Sequence, residues 1–217
     1  MKPNKNTNLY SSNTNTQSQT ASAHNCTGLH VKNISKSYGE EHVLNNLSLS
    51  LDFGKTYCLM APSGTGKTTL FRILMGLETI DSGEIHGLKS CRIASVFQEN
   101  RLLDGYTALE NIRFVTGRQY SAEELTEIIM SLLPQDALHK PVCEFSGGMK
   151  RRTAILRAIL APSDFIIMDE PFTGLDEETK HRTIELIHRY TTGKLVLFST
   201  HNEEEAYLLH AEMIHLN

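Results

Sequence analysis

The sequence predicts an α/β fold: a mainly parallel sheet, an antiparallel β piece ahead of it, and a helical subdomain inserted within it. Three observations predict this. An apolar run from Tyr57 to Met60 passes through a glycine-bearing loop into a helical pattern carrying Leu70, Ile73 and Leu74. Short apolar runs then alternate with helical periods from Phe165 to the end of the chain. Between these regions, over about 107–160, the periodicity is helical. Strands alternating with helices read as βαβ units of a parallel sheet, and a purely helical stretch between them reads as an insertion.

Each element has a local reason. Residues 1–27 are rich in Asn, Thr, Ser and Gln. They carry too little apolar surface to offset the entropy of ordering, and read as a disordered polar tail. Leu29–Val31 and Val43–Leu51, joined through Tyr38-Gly39, read as the antiparallel piece; Leu47, Leu49 and Leu51 alternate with polar residues. Gly83–Gly87 holds a short strand between turns, and Ile93–Phe97 a buried strand that ends at Gln98. Thr107 caps a pattern carrying Leu109, Ile112 and Val115. Ser121-Ala122-Glu123-Glu124 is a capping box that opens a helix through Leu133. Ser146-Gly147-Gly148 opens a third helix, with Ile155, Ala158 and Ile159 on one face. A strand at Phe165–Met168, a helix from about Asp176 to Tyr190, a strand at Leu195–Phe198, a helix at Glu203–Leu209 and a last apolar run complete the chain.

Composition narrows the function classes. The 217 residues suffice for one domain with a full core, or one domain and a small subdomain. A net charge of −4 does not point to a nucleic-acid binder. No apolar run approaches the ~18–20 residues needed to span a bilayer, and no N-terminal segment resembles a secretory signal, so the chain is expected to be cytoplasmic. Cys26, Cys58, Cys91 and Cys143 form no C-x-x-C pair and read as reduced thiols. The basic run Lys150-Arg151-Arg152 reads as a solvated or paired helix face.

Ala61-Pro62-Ser63-Gly64-Thr65-Gly66-Lys67-Thr68, followed by Thr69, fits a phosphate-binding loop between strand and helix, with Ala61 where the pattern has glycine. Backbone N–H groups of such a loop cradle phosphate oxygens, aided by the positive end of the next helix. Lys67 is expected to reach the β and γ phosphates and Thr68 to ligate Mg²⁺. A dinucleotide fingerprint fits less well, because position 69 is Thr and not Gly. The core is therefore read as that of a P-loop NTPase.

Phe165-Ile166-Ile167-Met168-Asp169-Glu170 is an apolar strand ending in two acids. Ligands of parallel α/β sheets gather at the carboxyl ends of strands. Asp169 is thus expected to bind Mg²⁺, and Glu170 to orient or deprotonate an attacking water. Gln98 and His201 end two other strands and could reach the γ-phosphate region, Gln98 through Mg²⁺ or the water.

Phe145-Ser146-Gly147-Gly148-Met149-Lys150-Arg151-Arg152 resembles the signature motif of the ATP-binding cassette (ABC) ATPases, usually written Leu-Ser-Gly-Gly-Gln. The order of motifs is similar to that family throughout: Tyr38, Ala61–Thr69, Gln98, Ser146–Gly148, Asp169-Glu170, Gly174-Leu175-Asp176 and His201. The resemblance covers 28–217, with the helical subdomain at about 100–160. It implies ATP and Mg²⁺ as ligands, Tyr38 against adenine, and Lys67, Gln98, Glu170 and His201 as catalytic residues. Thr68, Gln98 and Asp169 become the metal residues. Ser146, Gly147 and Gly148 would complete the nucleotide site of a second cassette, in a homodimer if the chains are identical. Transmembrane permease subunits and a solute-binding protein are further implied partners, with the chain peripheral on the cytoplasmic face of the membrane. The run Phe97–Leu103 looks most like importer subunits of the nitrate/sulfonate/taurine type. The alternative is a non-transport ABC ATPase acting on nucleic acid or ribosomes. Phe145 in place of Leu, and Thr173-Gly174 in place of Ser-Ala, depart from the family pattern.

Overall fold

The computed structural model describes residues 28–62, 64–89 and 91–216. The polar tail read over 1–27, with Cys26, lies outside the described residues, as does Ser63. Strands β1 (Leu29–Tyr38), β2 (Glu41–Leu51) and β4 (Ser82–His86) form an antiparallel sheet in the order β2-β1-β4. The sequence suggests a two-stranded piece. The third strand joins because Gly83 lets the backbones close in: a Cβ there would stand 2.5 Å from the Asn33 carbonyl oxygen.

Strands β3 (Thr56–Met60), β5 (Ile93–Val96), β6 (Phe165–Asp169), β7 (Leu195–Ser199) and β8 (Glu212–His215) form a second, parallel sheet in the order β5-β6-β7-β3-β8. The last apolar run of the sequence is β8, an edge strand beside β3. Residues of β6 and β7 are buried throughout, as expected of strands covered on both faces. They alternate between two cores. Phe165, Ile167, Leu195 and Leu197 pack with Leu70, Phe71 and Ile73 of α1 (Lys67–Leu74) and with Leu29, Val31 and Ile34 of β1. Ile166, Met168, Val196 and Phe198 face the opposite core. That core is filled by Ile155, Leu156 and Ile159 of α4 (Gly147–Leu160) and by Ile184 and Ile187 of α5 (Glu177–Thr191). The short helix α6 (Glu203–Leu208) precedes the edge strand.

The inserted helices extend the second core. Ile112 of α2 (Ala108–Thr116) and Leu125 and Ile129 of α3 (Ala122–Met130) are fully buried in it. Both helices begin with the capping boxes that the sequence encodes: the Thr107 and Ser121 side chains accept from the Glu110 and Glu124 N–H groups, and each glutamate accepts in return. Helix α3 stops at Met130 rather than Leu133. Pro134 disfavours helical backbone at Leu133, and Leu132 and Leu133 turn inward to the core instead.

Phe198 is fully buried and meets Phe172 edge-on, with ring centroids 6.3 Å apart. Phe198→Ala is expected to cost about 3–5 kcal/mol, through lost transfer energy and a residual cavity. Urea unfolding should show a lower midpoint at unchanged slope.

Candidate functional site

The site is built at the carboxyl ends of β3, β6 and β7. Register fixes the level: Ser199 pairs with Leu59 on one side and with Asp169 on the other. The loop that leaves β3 therefore rises beside the acids that end β6. A cleft of about 430 Å³ opens here, lined by Tyr38, Glu41, Val43, Gly64, Gly66, Lys67, Thr68, Thr69, Gln98, Asp169 and Glu170.

The loop itself is shaped for an anion. Gly66 takes φ 87°, which side-chain-bearing residues rarely adopt. A Cβ there would also stand 2.8 Å from the Val43 carbonyl oxygen, so glycine is required on two counts. Thr65 closes the turn by donating to the Pro62 carbonyl at 2.8 Å. Ala61, which departs from the glycine of the pattern, packs its methyl group on the core beneath β3. Helix α1 starts at Lys67 with no acidic residue in its first turn and no side-chain cap, leaving its positive end free for a ligand. The Lys67 side chain is buried and folds back onto the loop, donating to the carbonyls of Ala61 and, at 2.9 Å, Pro62.

The acids are held by hydroxyls. Asp169 is buried; its Oδ2 accepts from Thr68 at 2.9 Å and its Oδ1 from Ser199 at 2.6 Å. The Ser199 Oγ in turn accepts from the Glu170 N–H at 3.0 Å. Glu170 takes φ 46°, a left-handed conformation that costs an L-residue roughly 1–2 kcal/mol. Its Oε1 lies 3.1 Å from His201 Nε2, and its Oε2 is 3.5 Å from the Thr173 hydroxyl. Thr68 and Asp169 together offer oxygen donors of the kind that Mg²⁺ prefers, beside a loop that fits a triphosphate.

Gln98 is positioned from behind. Arg151 of α4 donates to the carbonyls of Phe97 at 2.6 Å and Gln98 at 2.8 Å, and Arg101 covers the Phe97 ring at 3.7 Å. Of the two readings of the basic run, solvated or paired, Arg151 takes the second: it is 5% exposed and its partners are backbone carbonyls. Burial pushes its guanidinium pKa down, opposed by Asp169, Glu170 and Glu99. Arg152 is also turned inward, donating to the carbonyls of Gly148 and Leu132.

Ser146 and Gly147 stand apart from these groups and are not among the residues lining the cleft. Ser146 caps α4, its Oγ accepting from the Met149 N–H at 3.3 Å. Gly148 approaches the loop before α5: a Cβ there would lie 3.2 Å from the Gly174 carbonyl oxygen. Met149, standing where the signature pattern has glutamine, packs against the helical core. Tyr38, at the end of β1, is 46% exposed. Ser199 and Arg151 are site residues that sequence reading missed. A serine ending an apolar strand was visible, but not that both of its hydrogen bonds go to the acids of a neighbouring strand.

A family model described as "ABC transporter" matches residues 44–173. The chain belongs to the ABC transporter family. The cassette is 35% identical over 198 residues to the Nod factor export ATP-binding protein I of Cupriavidus metallidurans, covering 82% of this chain and 64% of that protein. It is 36% identical over 193 residues to the protein of the same name from Rhizobium meliloti, covering 81% and 57%. The cassette thus spans about three-fifths of the length of these relatives. Among solved structures it is similar to a bacterial ABC transporter cassette in its dimeric form, with a TM-score of 0.74, 26% identity and coverage of 87% and 94% of the two chains. The dimeric post-hydrolysis structure of that cassette, bound to ADP and Pi, matches with a TM-score of 0.75 and 27% identity. No helix among the described residues is long and apolar enough to cross a membrane.

Ser199→Ala should cost about 1–3 kcal/mol, because it leaves the part-buried Glu170 N–H and a buried Asp169 oxygen without their partner. Chemical denaturation of the variant beside the parent protein reads this directly.

Proposed function

We propose that the chain binds and hydrolyses Mg²⁺-ATP as the motor subunit of a membrane transporter, in a head-to-tail dimer of cassettes. The observation that carries this reading is the convergence of Lys67, the Thr68–Asp169 pair and the Glu170–His201 pair around one cleft. Family membership and the dimeric form of the similar cassette support it.

On this reading Lys67 leaves the Ala61 and Pro62 carbonyls for the β and γ phosphates, while the α1 amides hold the remaining oxygens. Thr68, Asp169 and Gln98 hold the metal. Mg²⁺ bound there supplies charge neutralisation and polarises the terminal phosphoryl group. Tyr38 takes the adenine. Glu170 orients a water and accepts its proton as the water oxygen bonds to the γ phosphorus and the bond to the β-phosphate oxygen breaks, giving ADP and phosphate. His201 holds Glu170 through Oε1 and can donate to the γ-phosphate. The N–H groups at Ser146–Gly148 begin a helix without an acidic first turn, an anion site for the ATP of a second cassette. Two identical chains would close symmetrically around two nucleotides. Loss of the γ-phosphate removes that bridge and lets the dimer open.

The direction of transport favoured here is export. The relatives carry export in their names, which argues against the importer type expected from Phe97–Leu103 and against a solute-binding protein as partner. Those names equally favour a transporter over an ATPase working on nucleic acid or ribosomes. The partner that would receive the motion is a transmembrane subunit or domain, with the cassette peripheral to the membrane.

Glu170→Gln should lower ATP turnover roughly 10²–10⁴-fold, the range for losing a general base, while ATP binding persists and a dimer accumulates on gel filtration. Near-parental turnover would remove Glu170 from the chemistry. Lys67→Ala should weaken ATP binding measured by calorimetry, since a charge-assisted contact to phosphate is lost. Unchanged affinity would contradict the role given to the loop.

A further inference from the structure

Lys36 lies inside the molecule on β1, 7% exposed, although lysine is rarely buried without a reason. Its ammonium is 3.0 Å from Glu78 Oε1 and 3.5 Å from Asp81 Oδ1, both beyond the end of α1. It also stands over the Tyr38 ring, 5.2 Å from the centroid. The backbone on either side of Lys36 is pinned as well: Asp81 Oδ2 accepts from the Ser37 N–H at 2.7 Å, and the Asp81 N–H donates to the Ser35 carbonyl at 2.9 Å. The Glu78 carboxyl is held below the usual carboxylate range, first by Lys36 and next by the Tyr38 hydroxyl. Tyr38 lines the cleft, whereas Lys36 is not among its lining residues.

We propose that Lys36 is a positioning residue for the nucleotide base: anchored by Glu78 and Asp81, its ammonium braces the Tyr38 ring in the orientation that receives adenine. The inference rests on the reading that Tyr38 takes the base. A cation over an aromatic face attracts the ring and fixes its tilt. A ring already held loses less freedom when a ligand stacks on it. Lys36 acts on the base through Tyr38 and has no part in gripping phosphate, which separates it from Lys67.

Calorimetry with Mg²⁺-ATP and with Mg²⁺-tripolyphosphate, which has no base, tests this on the full chain. Lys36→Met should raise the dissociation constant for ATP roughly two- to tenfold and leave that for tripolyphosphate unchanged. Lys36→Arg, which keeps the cation, should bind ATP like the parent protein. In a Tyr38→Ala background, Lys36→Met should have no further effect. Equal losses for both ligands, or additive losses with Tyr38→Ala, would overturn the proposal by showing a general structural role. If Tyr38→Ala weakens ATP binding and Lys36→Met does not, the Lys36 inference alone fails. If Tyr38→Ala leaves ATP affinity intact while Lys67→Ala lowers it, the base reading of Tyr38 fails and the inference falls with it. Should Lys36→Met not fold by circular dichroism, Glu78→Gln removes the anchoring charge at constant size. The same base-specific loss is expected there, and its absence would overturn the proposal.

Discussion

Two carboxylates stand beside a loop shaped to take an anion, and the Ser199 hydroxyl holds them in different orientations. It donates to Asp169 Oδ1 and accepts from the Glu170 N–H. Asp169 is thereby turned toward Thr68, and Glu170 toward His201. Without that hydroxyl, a buried acid and a backbone amide in left-handed conformation would each lose a partner in a region of low dielectric, where unpaired polar groups are expensive. The separation leaves one acid against the Thr68 hydroxyl and the other against the His201 ring. The parallel register of β3, β7 and β6 brings all three chain segments to one level.

Helix α4 is the second organising element. Its first turn carries the Ser146–Gly148 amides, and one turn further Arg151 holds the carbonyls of Phe97 and Gln98. One helix therefore joins the serine–glycine start at Ser146–Gly148 to the segment that ends at Gln98. Arg152 ties the same helix to the end of α3 through the Leu132 carbonyl. These guanidinium contacts add to the apolar packing that joins the inserted helices to the parallel sheet.

Much of the architecture was readable because its signals are local. The capping boxes at Thr107 and Ser121, the apolar runs of β6 and β7 and the glycine-bearing loop depend on neighbours within a few residues. The misses have causes that are wholly or partly nonlocal. Strand β4 owes its place in the small sheet to the approach of Gly83 to Asn33. Helix α3 ends early because Pro134 and the core together turn Leu132 and Leu133 away from the helix axis. Whether Arg151 would be solvated or paired stayed open because helical periodicity describes a face, and does not say what backbone that face will meet.

The sequence by itself determined the chemistry available: an anion-binding loop, a lysine, two acids after an apolar strand, and a serine–glycine helix start, each set by residue type and short spacing. Only the tertiary structure decided which groups touch. Thr68 meets Asp169 across 101 positions, Ser199 bridges both acids, Arg151 holds Gln98, and Lys36 sits over Tyr38. The reason is that hydrogen bonds and ring contacts act over a few ångströms, and strand order and register, which bring distant segments within that range, are settled by burying both faces of the sheet at once.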